Sequence, residues 1–292
     1  MIKIDRIELA DIANPVMLAK ALIDQIPDIE PPIPVQQIAL AVDIKEIKPL
    51  TVKGFEGGLI VPDDKSEGFI LVNDKNSPRR QRFTIGHELG HFLNPWHNPG
   101  SSGQFLCTSR DMIVSQFKAN ESRQRMEVEA NQFSAELLMP QRFIQADIEK
   151  LNDAEIDHIT KLADKYDVSK ESMGRRYIEC QDEPCALIFS RNGNVSYTVK
   201  SQYFPRLEVW RNGDIIPHDT RTRDFNDQPG STSGWQEHAS DAWLCDNNKY
   251  ESVYEQALIQ ENGYRITLLT LGDKVDEEEE ELRESWTPRF RR

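Results

Sequence analysis

The sequence predicts an α+β protein. A mixed domain with a small sheet and one motif-bearing helix comes first, followed by a separate β-rich domain. The main observation is a change of period. Apolar residues recur at helical spacing through much of residues 14–179, then alternate in strand fashion after Gln181-Asp182-Glu183-Pro184. Size agrees, since a chain of 292 residues is long enough to build two cores. The expected divisions are residues 1–180, 181–275 and a charged tail at 276–292.

Asn14-Pro15 predicts a helix start, with Asn as cap and Pro in the first turn. Val16, Ala19, Ile23 and Ile26 then share one face, and Val35, Ile38, Ala39 and Val42 suggest a second short helix. Gly54–Val61 and Gly68–Asn73 look like two strands around the turn Pro62-Asp63-Asp64. Ser77-Pro78 begins another helix, which stops before Pro95. Residues 94–118, with two prolines and Gly100-Ser101-Ser102-Gly103, read as a loop. From about Ser122 a longer helix buries Met126, Ala130, Phe133 and Leu137. Two helical stretches, about 141–165 and 169–179, complete this half. In the second half, Asn192-Gly193 and Asn262-Gly263 each sit between alternating segments, which is a strong hairpin signal. Residues 218–240 read as a polar loop.

Composition narrows the function. With 38% hydrophobic and 29% charged residues the chain is of globular type. Its net charge of −14 would repel phosphate backbones, so direct nucleic-acid binding is not expected. The N-terminus shows no signal-peptide pattern, and no apolar run approaches a membrane span, which leads to an expected cytoplasmic location. Cys107, Cys180, Cys185 and Cys245 form no Cys-x-x-Cys pair, and ordinary reduced thiols are expected.

The chemistry lies in His87-Glu88-Leu89-Gly90-His91. At 3.6 residues per turn, His87 and His91 project from one helix face and can share a metal ion, with Glu88 free to act as a general base. A shuffled chain would show such a motif about 2% of the time, so it needs a third ligand to be convincing. Glu127 is the best candidate, because a carboxylate beside an apolar stripe is costly without a cation. Glu129 and His97 compete with it. Asn131, one turn after Glu127, could accept a hydrogen bond from a ligating histidine.

Arg82 to His91, followed by Glu127-Val128-Glu129-Ala130-Asn131 and onward to Pro140, resembles the ImmA/IrrE family of metallopeptidases. Ile70-Leu71-Val72-Asn73 resembles the strand that precedes its active-site helix, and the likeness spans roughly residues 30–178. One departure is Leu93-Asn94-Pro95, where the family often has Leu-Leu-His. The resemblance implies a zincin-like catalytic domain of gluzincin type, with His87, His91 and Glu127 holding Zn2+ or another divalent metal such as Mn2+. It also implies an endopeptidase that cleaves a helix-turn-helix transcriptional repressor or a similar regulatory protein.

By that reading a metal-activated water attacks a peptide carbonyl while Glu88 relays the proton. Substrate is expected to add as an extended strand along a sheet edge near Phe69–Asn73. Residues 159–178 look like a helix-turn-helix pair. Asp164, Asp167, Glu171 and Glu179 dilute its basic residues, so a structural role is expected over DNA contact. The β-rich domain is expected to recognise substrate or restrain the protease. An alternative outside enzymes is a non-catalytic, metal-containing regulator that binds a repressor or toxin partner. The intact Glu88 argues against it, since a structural site needs no base.

Overall fold

The computed structural model describes residues 2–98, 103–108, 122–151, 153–245 and 250–273. The chain folds as two compact units, Met1–Ile144 with Leu162–Met173, and Gln145–Lys161 with Gly174–Arg292. The division runs through three helices, whereas the sequence suggested a boundary after residue 180. The expected tail at 276–292 lies outside the described residues.

In the first unit, α1 (Pro15–Asp24) begins as its cap residue implies, with Asn14 Oδ1 accepting from the Met17 N–H at 3.0 Å. Helix α2 (Val35–Ala41) buries Val35, Ile38 and Ala39. Strand β1 (Ile44–Pro49) has no counterpart in the sequence reading. Lys45, Glu46 and Lys48 leave it exposed and without apolar alternation. Strands β2 (Phe55–Ile60), β3 (Gly68–Val72) and β4 (Gln104–Thr108) complete a sheet of order β1-β3-β2-β4.

Strand β1 runs parallel to β3, and the other two pairings are antiparallel. This corrects the expected docking edge. β3 is interior, because β1 pairs with it from Ile44↔Gly68 to Pro49↔Val72. The edges of this sheet are β1 and β4. Strand β4 also corrects the reading of residues 94–118 as a loop. Phe105 and Cys107 point inward, while Gln104, Leu106 and Thr108 are exposed. Residues 99–102 and 109–118 of that stretch lie outside the described residues.

Helix α3 (Pro78–Leu93) is capped by Ser77, whose hydroxyl accepts from the Arg80 N–H at 3.3 Å. It is buried without a break from Thr84 to Leu93, packed on β2, β3 and α2. Helix α4 (Ser122–Leu138) packs against α3 and α1. The expected stretch at 141–165 is two helices, α5 (Gln141–Ile148) and α6 (Ile156–Tyr166), and α7 (Lys170–Glu179) follows. Asp167, at φ 51, makes the turn between α6 and α7. Arg79 reaches back from α3 to Asp164 at 2.7 Å and Asp167 at 3.2 Å, and Arg82 donates to the Asp167 carbonyl at 3.2 Å. Two of the acidic residues that dilute this helical pair, Asp164 and Asp167, therefore tie its turn to α3.

The second unit is built on an antiparallel sheet of order β6-β5-β9-β8-β7. Its strands are β5 (Cys185–Arg191), β6 (Asn194–Lys200), β7 (Gln236–Ala239), β8 (Ser252–Ile259) and β9 (Tyr264–Leu271). Both expected hairpins are present. Asn192 and Gly193 take φ 50 and 79 as the tight two-residue turn between β5 and β6 requires, whereas β8 and β9 are joined by a longer turn through Glu261–Gly263 in which Asn262 and Gly263 take φ 58 and 76. Strand β5 is buried on six consecutive residues because both of its faces are covered. Ala186 and Ile188 join Phe204, Leu207 and Trp243 in one core, while Leu187 and Phe189 pack against Gly174. Residues 218–240, read as a loop, hold the short helix α8 (Arg221–Asp224) and β7.

A fully buried carboxylate, Glu255, ties this unit together. It accepts from the Arg221 and Thr222 N–H groups at 3.0 and 2.5 Å and from Trp243 Nε1 at 3.2 Å, and lies 2.8 Å from His238 Nε2. The three N–H donors offset the cost of burying its charge. Glu255→Ala is expected to destabilise the protein by about 3–5 kcal/mol, read as a lower urea midpoint.

Candidate metal centre

Helix α3 offers its histidines to α4 through a groove of two glycines. A Cβ on Gly86 would lie 2.5 Å from Ser134 Oγ, and one on Gly90 would lie 3.1 Å from the Ala130 Cα. Their absence lets α4 approach closely enough to present Glu127 and Asn131 to the motif. His87 Nε2 stands 3.1 Å from Glu127 Oε2 and 3.1 Å from His91 Nε2, and His91 Nε2 is 3.5 Å from the same carboxylate oxygen. Both histidines are fully buried and Glu127 is 3% exposed. Donors of a tetrahedral ion with bonds of about 2.0–2.2 Å stand roughly 3.3–3.6 Å apart. The three residues fit one cation.

The distal ring nitrogens are also engaged. His87 Nδ1 is 2.9 Å from Asn131 Oδ1. An amide oxygen only accepts, so Nδ1 carries the proton and Nε2 turns its lone pair to the centre. This is the placement the sequence suggested for Asn131. His91 Nδ1 meets His97 Nδ1 at 3.0 Å, and His97 Nε2 meets Glu129 Oε2 at 3.0 Å, with Arg125 fixing Glu129 at 2.7 Å. His91 donates to His97, which in turn donates to Glu129. His97 and Glu129, the rival candidates for third ligand, thus stand one layer out and orient His91. Phe105 stacks on the His91 ring at 4.3 Å between centroids. Removing an outer partner of this kind lowers metal affinity by about 10–100-fold. His97→Ala is expected to do so in a chelator competition, with the fold unchanged by circular dichroism.

Electrostatics favour a cation here. Burial pushes His91 down to about 3 and His97 to about 4, the latter against the pull of Glu129, so both rings are neutral. Burial alone would raise Glu127, but the contacts with His87 and His91 hold it below the usual carboxylate range. His87 is raised: burial opposes its charge, and the Glu127 hydrogen bond with the carboxylates of Glu88 and Glu127 outweighs that. A divalent ion would displace that proton.

Glu88 is fully buried one residue along from His87. Gly57 of β2 clears the space for it, since a Cβ there would come within 3.0 Å of Glu88 Oε1 and 2.2 Å of Thr84 Cγ2. A fourth donor was not foreseen. Cys107 Sγ lies 3.4 Å from His87 Nε2 and 3.7 Å from Glu127 Oε2, and the donor atoms of His87, His91, Cys107 and Glu127 all fall within 4.8 Å of one another. No sequence spacing links Cys107 to the motif, and only the strand alternation of Phe105 and Cys107 could have pointed it inward. A cleft of about 810 Å³ opens near the end of α3, lined in part by Arg6, Asp43, Lys65 and His97. None of the four donors lines it.

Residues 54–177 match the Peptidase_M78 family, described as IrrE N-terminal-like domain. This part of the chain is an IrrE N-terminal-like domain. The IrrE-like domain takes in β2, β3, α3, β4 and α4, and with them every residue of the centre. The solved structure of a Mycobacterium tuberculosis transcriptional regulator shares the fold, with a TM-score of 0.55 over 94% of each chain at 15% identity. No curated protein matches the sequence. Among the described residues, no helix is long and apolar enough to cross a membrane. The IrrE-like domain is thus a peptidase-type domain with a buried centre able to bind a metal ion.

Proposed function

We propose that the chain is a zinc-dependent endopeptidase of the cytoplasm. The convergence of His87, His91 and Glu127 beside a buried Glu88 carries this reading. Imidazole and thiolate donors favour zinc over manganese, magnesium or calcium. Bound there, zinc supplies a polarised carbonyl and a water acidified to a pKa of about 7. Glu88 takes up the proton that water gives and passes it to the leaving amine. Asn131 holds His87, and His97 with Glu129 holds His91, so neither ring can turn away from the centre. The burial of the site keeps competing water out.

The substrate class we favour is a regulatory protein, a helix-turn-helix repressor first among them, in keeping with the ImmA/IrrE resemblance. Direct contact with DNA is not part of the reading. Arg175 stacks on Tyr197 at 4.1 Å, and Arg176 pairs with Glu179 at 3.3 Å, so both arginines of α7 have structural tasks. A second reading, a metal-holding regulator without catalysis, draws support from Cys107, because four protein donors close a site.

The two are separated by incubating the zinc-loaded chain with candidate helix-turn-helix repressors and reading new termini by mass spectrometry. The wild type and Cys107→Ala are each compared with and without Glu88→Gln. Glu88-dependent termini in either background support the peptidase. Bound zinc with no cleavage in any background leaves the regulator.

A further inference from the structure

We infer that Cys107 supplies the fourth ligand of the ion held by His87, His91 and Glu127, so that the resting site is closed and the peptidase latent. The inference rests on the metal site proposed above and concerns its resting state. Sulfur bonds to zinc are longer than nitrogen bonds, about 2.3 Å against 2.0–2.1 Å, which sets nitrogen-to-sulfur separations near 3.5 Å in a tetrahedron. The observed 3.4 Å to His87 and 3.7 Å to Glu127 straddle that value. The thiolate and Glu127 together balance a divalent charge, which a buried ion requires.

The strand delivers the sulfur by register. Cys107 is 1% exposed and pairs across the sheet with Gly57, the residue that makes room for the Glu88 carboxylate. The sulfur and the general base therefore both lie beside Gly57 of β2. A purely structural site has no use for Glu88, and a permanently open one has no use for Cys107. Both residues have a purpose if the thiolate leaves the ion to start the reaction. Release would need no electron transfer: Cys107 would leave as a thiol, taking its proton from solvent, and a water molecule would take its place.

The test reads coordination, not turnover. The full chain is loaded with cobalt(II), and absorption is recorded before and after adding acetohydroxamate, a small chelator that needs an open position. The wild type is expected to show an intense thiolate-to-cobalt charge-transfer band and no response to acetohydroxamate. Cys107→Ala and Cys107→Ser should lose the band, still bind one cobalt, and respond to acetohydroxamate. Their zinc should be held at least about tenfold more weakly against a competing chelator. One bound cobalt in the wild type without the band overturns the thiolate ligand and leaves the proposed metal site intact. A band together with acetohydroxamate binding overturns closure. Failure of the wild type to bind any metal overturns the metal-site reading, and this inference with it.

Discussion

Glu127→Ala is expected to leave the chain unable to hold zinc. The variant loses the anionic oxygen that meets both histidines at 3.1 and 3.5 Å and leaves two neutral imidazoles and one sulfur. The expected fall in zinc affinity is on the order of 10³-fold, beyond the 10–100-fold cost of an outer partner such as His97. The check is zinc content after dialysis against a chelator, measured beside Glu129→Ala. If Glu127→Ala keeps its metal and Glu129→Ala does not, the ligand has been assigned to the wrong carboxylate. Glu129 accepts from His97 and Arg125, so its removal should match the milder loss of His97→Ala.

The second large effect falls on chemistry alone. Glu88→Gln keeps the size of the side chain and removes the proton acceptor, so zinc content and melting temperature should stay at wild-type values. Peptide hydrolysis should drop by about 10²–10⁴-fold, the usual contribution of a positioned general base. Measured in the Cys107→Ala background, that drop is independent of closure by the thiolate. Equal cleavage with and without Glu88 would remove it from the reaction.

The motif helix was legible because everything it needs is local. Ser77-Pro78 starts it, His87 and His91 share a face by helical geometry, and Pro95 ends it. Glu127 and Asn131 were legible for a related reason: their spacing repeats the i, i+4 logic on a second helix beside an apolar stripe. What brings the two helices together, the groove at Gly86 and Gly90, shows only in the packing. Strand β1 was hidden by its charges, and without it β3 looked like an edge. Cys107 was hidden because Asn94, Pro95, Pro99 and the glycines around it mark a loop, while the strand inside holds only two inward residues. Spacing offers His97 only as a rival ligand and cannot show that it hydrogen-bonds the ring of His91.

His87, His91 and Glu127 are expected to hold one metal ion between them. Anomalous diffraction from crystals of the zinc-loaded chain, collected on both sides of the zinc absorption edge, tests it most directly. A single strong peak about 2.0–2.2 Å from His87 Nε2, His91 Nε2 and a Glu127 oxygen is the predicted result. A peak bonded to other residues, or none at this centre in a chain that carries zinc, would contradict it.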